Sequence, residues 1–508
     1  MSEPAIHSGA RSRPISEARL RAARLAAGLR RLGLRHGDRF ALVLRNEIAF
    51  LEATMAATPI GAVPVPVNWH WTGVDLEHLL TDSGAKVVLA HTDLLPGVEK
   101  YAGPDVAIVE VEVPPEVAEA HRLGDVPLTG RYPTMERIIA ENEPVADPVA
   151  EPPMSVIYTS GTTGLAKGIL RDPVSPAAMP ALGASIARIF GMRPGGSTLV
   201  TAPMYHTAPN VQATFAVAMG CDVYVMPAFR PEEALRLIAA HRIESAQLVP
   251  TMFQRLLRLP EETRRRYDLS SLRAVVHAAA PCPIPVKEAM IDWLGPIVAE
   301  YYGGSEGGIW TYATSADSLA HPGTVGRPYA EADIRVLDAA GRPVPTGETG
   351  VVYGRPIAGW PDFTYLHQPD KRAAIEHDGY ITVGDVGHLD ADGFLYLSDR
   401  LNDVINAGGV NIYPAEIEAA ILELDAVADV AVFGIPDDDL GEAVCAHVEL
   451  RPGAHATAES IQDHVRGRLA RYKVPKRVVF DDALPREDSG KLFKRRIKAR
   501  YWAETSPA

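Results

Sequence analysis

Residues 158–168 read Tyr158-Thr159-Ser160-Gly161-Thr162-Thr163-Gly164-Leu165-Ala166-Lys167-Gly168. Glycines 161, 164 and 168 bare backbone N–H groups that can curl around phosphate oxygens. The hydroxyls of Thr159, Ser160, Thr162 and Thr163 add donors, and Lys167 adds a point charge. Lys167 is followed by Gly168 and not by Ser or Thr, so this is not a Walker-type P-loop. An ordinary flexible Ser/Thr/Gly linker has the same composition, and only the surrounding chain separates the two readings.

Upstream of this loop, helix and strand signals alternate. Ser16 can cap a helix with the apolar face Ala22, Leu25, Leu29 and Leu32, stopped by Gly33. Phe40 to Leu44 reads as a buried strand, Phe50 to Ala57 as a helix and Val63 to Val67 as a strand; Leu76 to Leu80 and Val87 to Ala90 repeat the unit. Helices between short aliphatic strands imply an α/β fold with a mostly parallel sheet covered on both faces. Such sheets carry their chemistry in loops beyond the strands' carboxyl ends. Residues 92–153 show no clear repeat. Downstream, the character changes near Asp399-Arg400-Leu401-Asn402, and a shorter α+β segment follows. It comprises a helix opened by Tyr413-Pro414, strands at Val427 to Phe433 and Cys445 to Leu450, and a helix around Ile461 to Leu469. This predicts a large N-terminal domain over 1–398, a hinge at 399–402 and a small mobile C-terminal domain over 403–508.

Composition limits the function. The chain has 508 residues, 47% hydrophobic and 22% charged, with 64 acidic against 50 basic side chains, a net charge of −14. That excess of acid argues against nonspecific nucleic-acid binding, though a local basic patch can still hold a phosphate. Cys221, Cys282 and Cys445 are scattered and odd in number, giving neither a disulfide framework nor a CxxC metal site. No apolar run reaches membrane-spanning length, and the start lacks a signal-peptide pattern. A cytoplasmic protein is expected.

Five further segments accompany the loop: Pro203-Met204-Tyr205-His206; Tyr301-Tyr302-Gly303-Gly304-Ser305-Glu306; Tyr380-Ile381-Thr382-Val383-Gly384-Asp385; Asp399-Arg400 through Gly408-Gly409 to Glu418; and Pro485-Arg486-Glu487-Asp488-Ser489-Gly490-Lys491. In this order they resemble the adenylate-forming superfamily of acyl-CoA synthetases, firefly-type luciferases and peptide-synthetase adenylation domains. Resemblance runs along nearly the whole chain. It departs at Ala166, where relatives usually have Pro, and at Ser305, where they usually have Thr.

The resemblance implies roles that make physical sense. Attack of a carboxylate on the α-phosphate of ATP brings two anions together, so the site needs positive charge and a metal ion. By resemblance, Thr159, Ser160, Gly161, Thr162, Thr163, Gly164 and Lys167 cradle the phosphates, and Glu306 with Thr163 holds Mg²⁺. Tyr302 stacks on adenine beside Ala279-Ala280-Pro281, with Gly303 and Ser305 in the same nucleotide pocket. Asp385 grips the ribose hydroxyls, Arg400 supports ribose or phosphate, and Lys491 bridges carboxylate and α-phosphate in the first step. His206, Gly304 and Gly308 line the acyl pocket. Gly408 and Gly409 border a tunnel for coenzyme A, and Asn402 is the pivot.

Two departures concern the acid. After Gly168 the chain reads Ile169-Leu170-Arg171-Asp172-Pro173, where most relatives continue towards Thr/Ser-His. Gly303, Gly304, Gly307 and Gly308 crowd Glu306; they either widen the pocket for a bulky alicyclic or polycyclic acid or satisfy turn geometry. The implied reaction is ATP-dependent acid–CoA ligation, with ATP, Mg²⁺ and coenzyme A as required partners. An amine or carrier-protein thiol is the alternative acceptor, and a catalytically silent nucleotide-binding protein is the rival of another class. The sequence leaves the oligomeric state open, a homodimer included.

Overall fold

Nine strands form the largest sheet, ordered Arg327–Pro328, Gly308–Ala313, Val298–Gly304, Ala274–His277, Ser245–Leu248, Ser197–Val200, Asp222–Val225, Ala5–Ser8 and Arg11–Pro14. The run from Val298–Gly304 to Ala5–Ser8 is parallel, with antiparallel hairpins closing both edges. The computed structural model describes residues 3–145, 153–159, 165–401, 403–407, 410–486, 492 and 494–503.

A second, wholly parallel sheet is ordered Val63–Pro66, Arg39–Val43, Val87–His91, Ala107–Val111. Its first three strands match the periodicity, because residues buried on both faces leave uninterrupted aliphatic runs. The helix Ile15–Arg31 buries Ala22, Leu25 and Leu29 as expected. Its N-cap is Pro14, not Ser16, since proline fixes φ at the entry without needing a donor. The stretch after residue 92 is more ordered than its composition suggests. It supplies the strand Ala107–Val111 and the helices Leu95–Tyr101, Pro115–His121 and Met135–Glu141. Glu110 hid that strand from a reading by apolar runs. It is buried mid-strand because Thr92, Thr129 Oγ1 and Thr129 N donate to its carboxylate.

A three-stranded sheet, Phe363–Tyr365, Lys167–Arg171 and Ile157–Thr159, holds the two ends of the Gly-rich loop. Residues 333–400 make a mainly antiparallel six-stranded sheet. Its last strand, Leu395–Arg400, pairs with Asp385–Leu389, so Asp399 and Arg400 still belong to the ladder. Two of the four residues expected to form the hinge thus lie in this sheet. The C-terminal segment builds a sheet around the long strands Val427–Asp437 and Gly441–Leu450, with Arg477–Asp481 added in parallel. Among the described residues its core, from Ile405 through Ile461 and Val465, contains none from the large sheets. The architecture is the expected α/β one, with mixed, mostly parallel sheets followed by a small α+β unit.

Candidate active site

The strand Val298–Gly304 organises the site. Tyr302, near its end, donates a hydrogen bond to Asp385 Oδ2 at 2.7 Å across 83 residues of chain. Both are 8% exposed. Tyr302 also meets Trp310 edge-on at 5.6 Å, which fixes the ring plane. Asp385 faces Arg400 in the antiparallel register, so the strand pairing brings the ribose and hinge motifs together.

Ala279, after the parallel strand Ala274–His277, has φ +75°. A left-handed alanine costs about 1–3 kcal/mol and is held only by its surroundings. Behind this turn Lys287 pairs with Glu300 and donates to Thr324 O at 3.3 Å, all buried. Burial, with the nearby ammonium, holds His277 well below its ordinary value, so the ring is neutral.

After the strand, the hairpin turn carries Ser305 and Glu306. Glu306 Oε1 accepts from the Tyr365 hydroxyl at 3.2 Å, and Lys167 Nζ lies 5.0 Å over the Tyr365 ring. Burial and the carboxylate push the Tyr365 phenol up, so it stays a donor. Burial and Lys371 lower Lys167, while Glu306 opposes them. Lys167 and Glu306 thus share one aromatic partner, Tyr365. Both feet of the loop are pinned: Tyr158 on the incoming strand donates to Asp82 Oδ2 at 2.7 Å, and His78 Nε2 donates to Ala166 O at 2.8 Å on the outgoing side. A half-buried carboxylate such as that of Glu306 is the donor type that suits a hard cation such as Mg²⁺.

His206 is the N-cap of the helix Thr207–Ala218, its ring tilted against Tyr205 at 4.5 Å. The next residue, Thr207, donates to Ser305 Oγ at 2.8 Å, which docks this helix end on the turn. Of the two readings of the glycines, the packing bears on turn geometry. A Cβ at Gly307 would lie 2.5 Å from the Trp310 ring and one at Gly308 2.5 Å from Trp360. At Gly304 it would meet Val383 at 2.7 Å, and at Gly303 the carbonyl of Gly308. Gly308 also has φ +67°. The glycines therefore let tryptophan rings and backbone approach closely, and the turn reading is the one the packing favours.

Several expected residues lie outside the described ones: Ser160, Gly161, Thr162, Thr163 and Gly164 of the loop, Asn402, Gly408, Gly409 and Lys491. Arg400 is described by its backbone alone. Around Lys491, Arg486 and Leu492 pair as antiparallel partners, which brings the ends of that loop together. Lys494 then anchors the following helix, with Nζ 2.8 Å from Glu418 Oε1. Burial lowers this ammonium, but Glu418 and Asp399 outweigh it and raise its affinity for the proton.

Sequence reasoning missed Tyr365, Trp360 and the Lys287–Glu300 pair. They fall outside the motifs, and no spacing links residue 306 to 365. Arg171 was within reach, since it stands where the chain departs from its relatives. Its guanidinium is 5% exposed, donates to Ser305 O and lies 5.4 Å over the Trp360 ring. Burial pulls it down to about 10, with Glu306 opposing.

Known proteins match this chain along nearly its whole length. A sequence profile described as AMP-binding enzyme matches residues 2–356, and one described as AMP-binding enzyme C-terminal domain matches 416–491. The fatty acid–[acyl-carrier-protein] ligase ScoC of Streptomyces coeruleorubidus is 32% identical, covering 95% of this chain and 90% of its own. A feruloyl-CoA synthase of Amycolatopsis sp is also 32% identical, with 98% and 96% covered. The crystal structure of ATP-bound MatB from Rhodopseudomonas palustris superposes with a TM-score of 0.84 at 27% identity, over 99% of this chain and 97% of that one.

Proposed function

The chain belongs to the AMP-binding enzymes and is an adenylate-forming acid ligase; from that premise we propose that it joins a carboxylic acid to coenzyme A at the expense of ATP. One observation carries the reading. The Tyr302–Asp385 pair and the Lys167–Tyr365–Glu306 group flank the same strand end, so a nucleotide with its base and ribose at the first would extend its phosphates towards the second.

In the first step a carboxylate oxygen attacks the α-phosphorus and the bond to pyrophosphate breaks. Tyr302 offers a ring face to adenine beside the Ala279-Ala280-Pro281 turn, and Asp385 accepts from the ribose hydroxyls. Lys167 and the Thr159–Gly164 backbone hold the departing phosphates. Glu306, with Thr163, would hold Mg²⁺, which supplies charge neutralisation between the phosphates. Lys491 sets its ammonium between the two reacting anions. In the second step the small domain turns about Asn402, Lys491 withdraws, and the thiol reaches the acyl carbon past Gly408 and Gly409. The thioester forms, AMP leaves, and the thiol proton passes to solvent.

Support for coenzyme A as acceptor comes from the Gly-Gly segment and the feruloyl-CoA synthase relative. The ScoC relative favours a carrier-protein thiol as the second reading. Pyrophosphate release followed by AMP release, assayed with coenzyme A, a phosphopantetheinylated carrier protein or an amine, separates them. Lys491→Ala is expected to abolish adenylation while leaving thioesterification of a supplied acyl-adenylate largely intact. Equal loss of both half-reactions would remove Lys491 from its assigned step.

A further inference from the structure

Arg171 and Trp360 form a pair that the reaction as described leaves unused. Arg171 closes the strand Lys167–Arg171 and pairs in register with Phe363. It makes one hydrogen bond, to the carbonyl of Ser305, and no carboxylate lies within ion-pairing distance of it among the described residues. Its Nε is buried without an acceptor. Trp360, 8% exposed, lies under the guanidinium, and its indole Nε1 is likewise buried without an acceptor.

Buried donors without partners are rare, and a buried cation with no carboxylate in ion-pair contact is rarer; Glu306 acts on Arg171 only through space. Here two such donors touch. They sit against the turn that carries Glu306, since Trp360 packs on Gly308 and Arg171 holds Ser305. The twelve-residue helix Thr207–Ala218 points its N-terminus at the same turn through the Thr207–Ser305 contact, adding positive potential. Guanidinium and indole N–H only donate, so whatever completes this corner must accept, and a carboxylate can accept from both at once.

We propose that Arg171 and Trp360 form a subsite for a second carboxylate on the acid, at the end remote from the one that is activated. The substrate is then a dicarboxylic acid, held by the guanidinium and the indole N–H together. This rests on the reading of the 303–308 turn as a wall of the acyl pocket. It also gives a reason for the Ile169-Leu170-Arg171-Asp172-Pro173 departure: the strand that anchors the phosphate loop at one end delivers a cation to the acyl side at the other.

The test compares matched acids in the full-length protein: hexanoate with adipate, octanoate with suberate, 4-methylbenzoate with terephthalate. Two readouts are taken, kcat/KM for pyrophosphate release and the thermal stabilisation each acid confers in the presence of AMP. Wild type is expected to favour the dicarboxylate of at least one pair by about tenfold or more. Arg171→Gln and Trp360→Phe should each collapse that ratio towards one, and Arg171→Lys should retain part of it. Trp360→Phe keeps the packing and removes only the donor, which guards against a folding artefact.

The proposal is overturned if wild type prefers the monocarboxylate of every pair, or if no dicarboxylate stabilises it. It is also overturned if both variants weaken the two members of a pair equally, which would mark a structural role. An increase in KM for ATP that is the same with all acids would assign the donors to a phosphate instead. A failure of the coenzyme A reading appears elsewhere, as pyrophosphate release without coenzyme A-dependent AMP release, and leaves the paired-acid comparison standing.

Discussion

Tyr302→Phe removes a single oxygen and keeps the ring. In the structure that oxygen donates at 2.7 Å to a carboxylate, with both partners buried. A hydrogen bond to a charged acceptor contributes about 1.5–3 kcal/mol, equivalent to roughly a 10- to 150-fold change in an equilibrium. The loss divides between two measurable quantities. One share falls on folding, because the bond joins the large sheet to the 333–400 sheet. The other falls on ATP, because Asp385 loses the contact that aims it at the ribose. The phenylalanine ring still stacks, so the acid's own KM should change little. Urea denaturation and steady-state pyrophosphate release with ATP varied measure the two shares. We expect kcat/KM for ATP to fall by at least about tenfold, with a midpoint shift to lower urea. Less than a twofold change in both quantities would refute the reasoning. A loss of stability with an unchanged KM for ATP would keep the hydrogen bond and discard its role in nucleotide binding.

The remaining expectations concern packing and titration. Gly308→Ala places a methyl group 2.5 Å from the Trp360 ring at a φ of +67°. Left-handed strain of about 1–2 kcal/mol plus overpacking of about 1–3 kcal/mol should lower the urea midpoint clearly, and an unchanged midpoint contradicts the close approach. Glu47 is buried, donated to by Arg11 at 2.6 Å and His91 at 3.1 Å. Burial alone would raise its carboxyl, but His91 and Arg11 outweigh burial and hold it below its ordinary 4.5. A depressed carboxyl stabilises the fold above that ordinary value, and the contribution disappears as pH falls through the folded-state value. Glu47→Gln should therefore melt lower than wild type at pH 7, with the gap closing below about pH 4.5; a gap that is constant with pH would show that charge plays no part.

Local periodicity carried much of the fold. The helix Ile15–Arg31 and the strands around Phe40, Val65 and Leu89 were legible because a doubly covered parallel strand is aliphatic throughout and a half-buried helix repeats every three to four residues. The strand Ala107–Val111 was not, since Glu110 breaks the apolar run and is tolerated only through partners distant in sequence. In the site, the motif residues Tyr302, Asp385, Glu306 and Lys167 could be named from the chain. Their shared neighbour Tyr365 could not, and the sequence could not show that Trp310 and Trp360 pack against Gly307 and Gly308.

By itself, the sequence determined the α/β class, the order of the domains and the kind of chemistry. The first two follow from residue type and periodicity, and the third from the resemblance of six ordered motifs to the adenylate-forming superfamily. Which side chains meet was decided by the tertiary structure, because strand order sets neighbours that sequence distance does not. Tyr302 reaches Asp385, and Arg171 reaches Ser305 and Trp360, only after sheets formed from separate thirds of the chain pack against one another. Burial did the rest: the same packing that removed water from Arg171 left its guanidinium with no carboxylate in ion-pair contact among the described residues, a property that no stretch of sequence carries on its own.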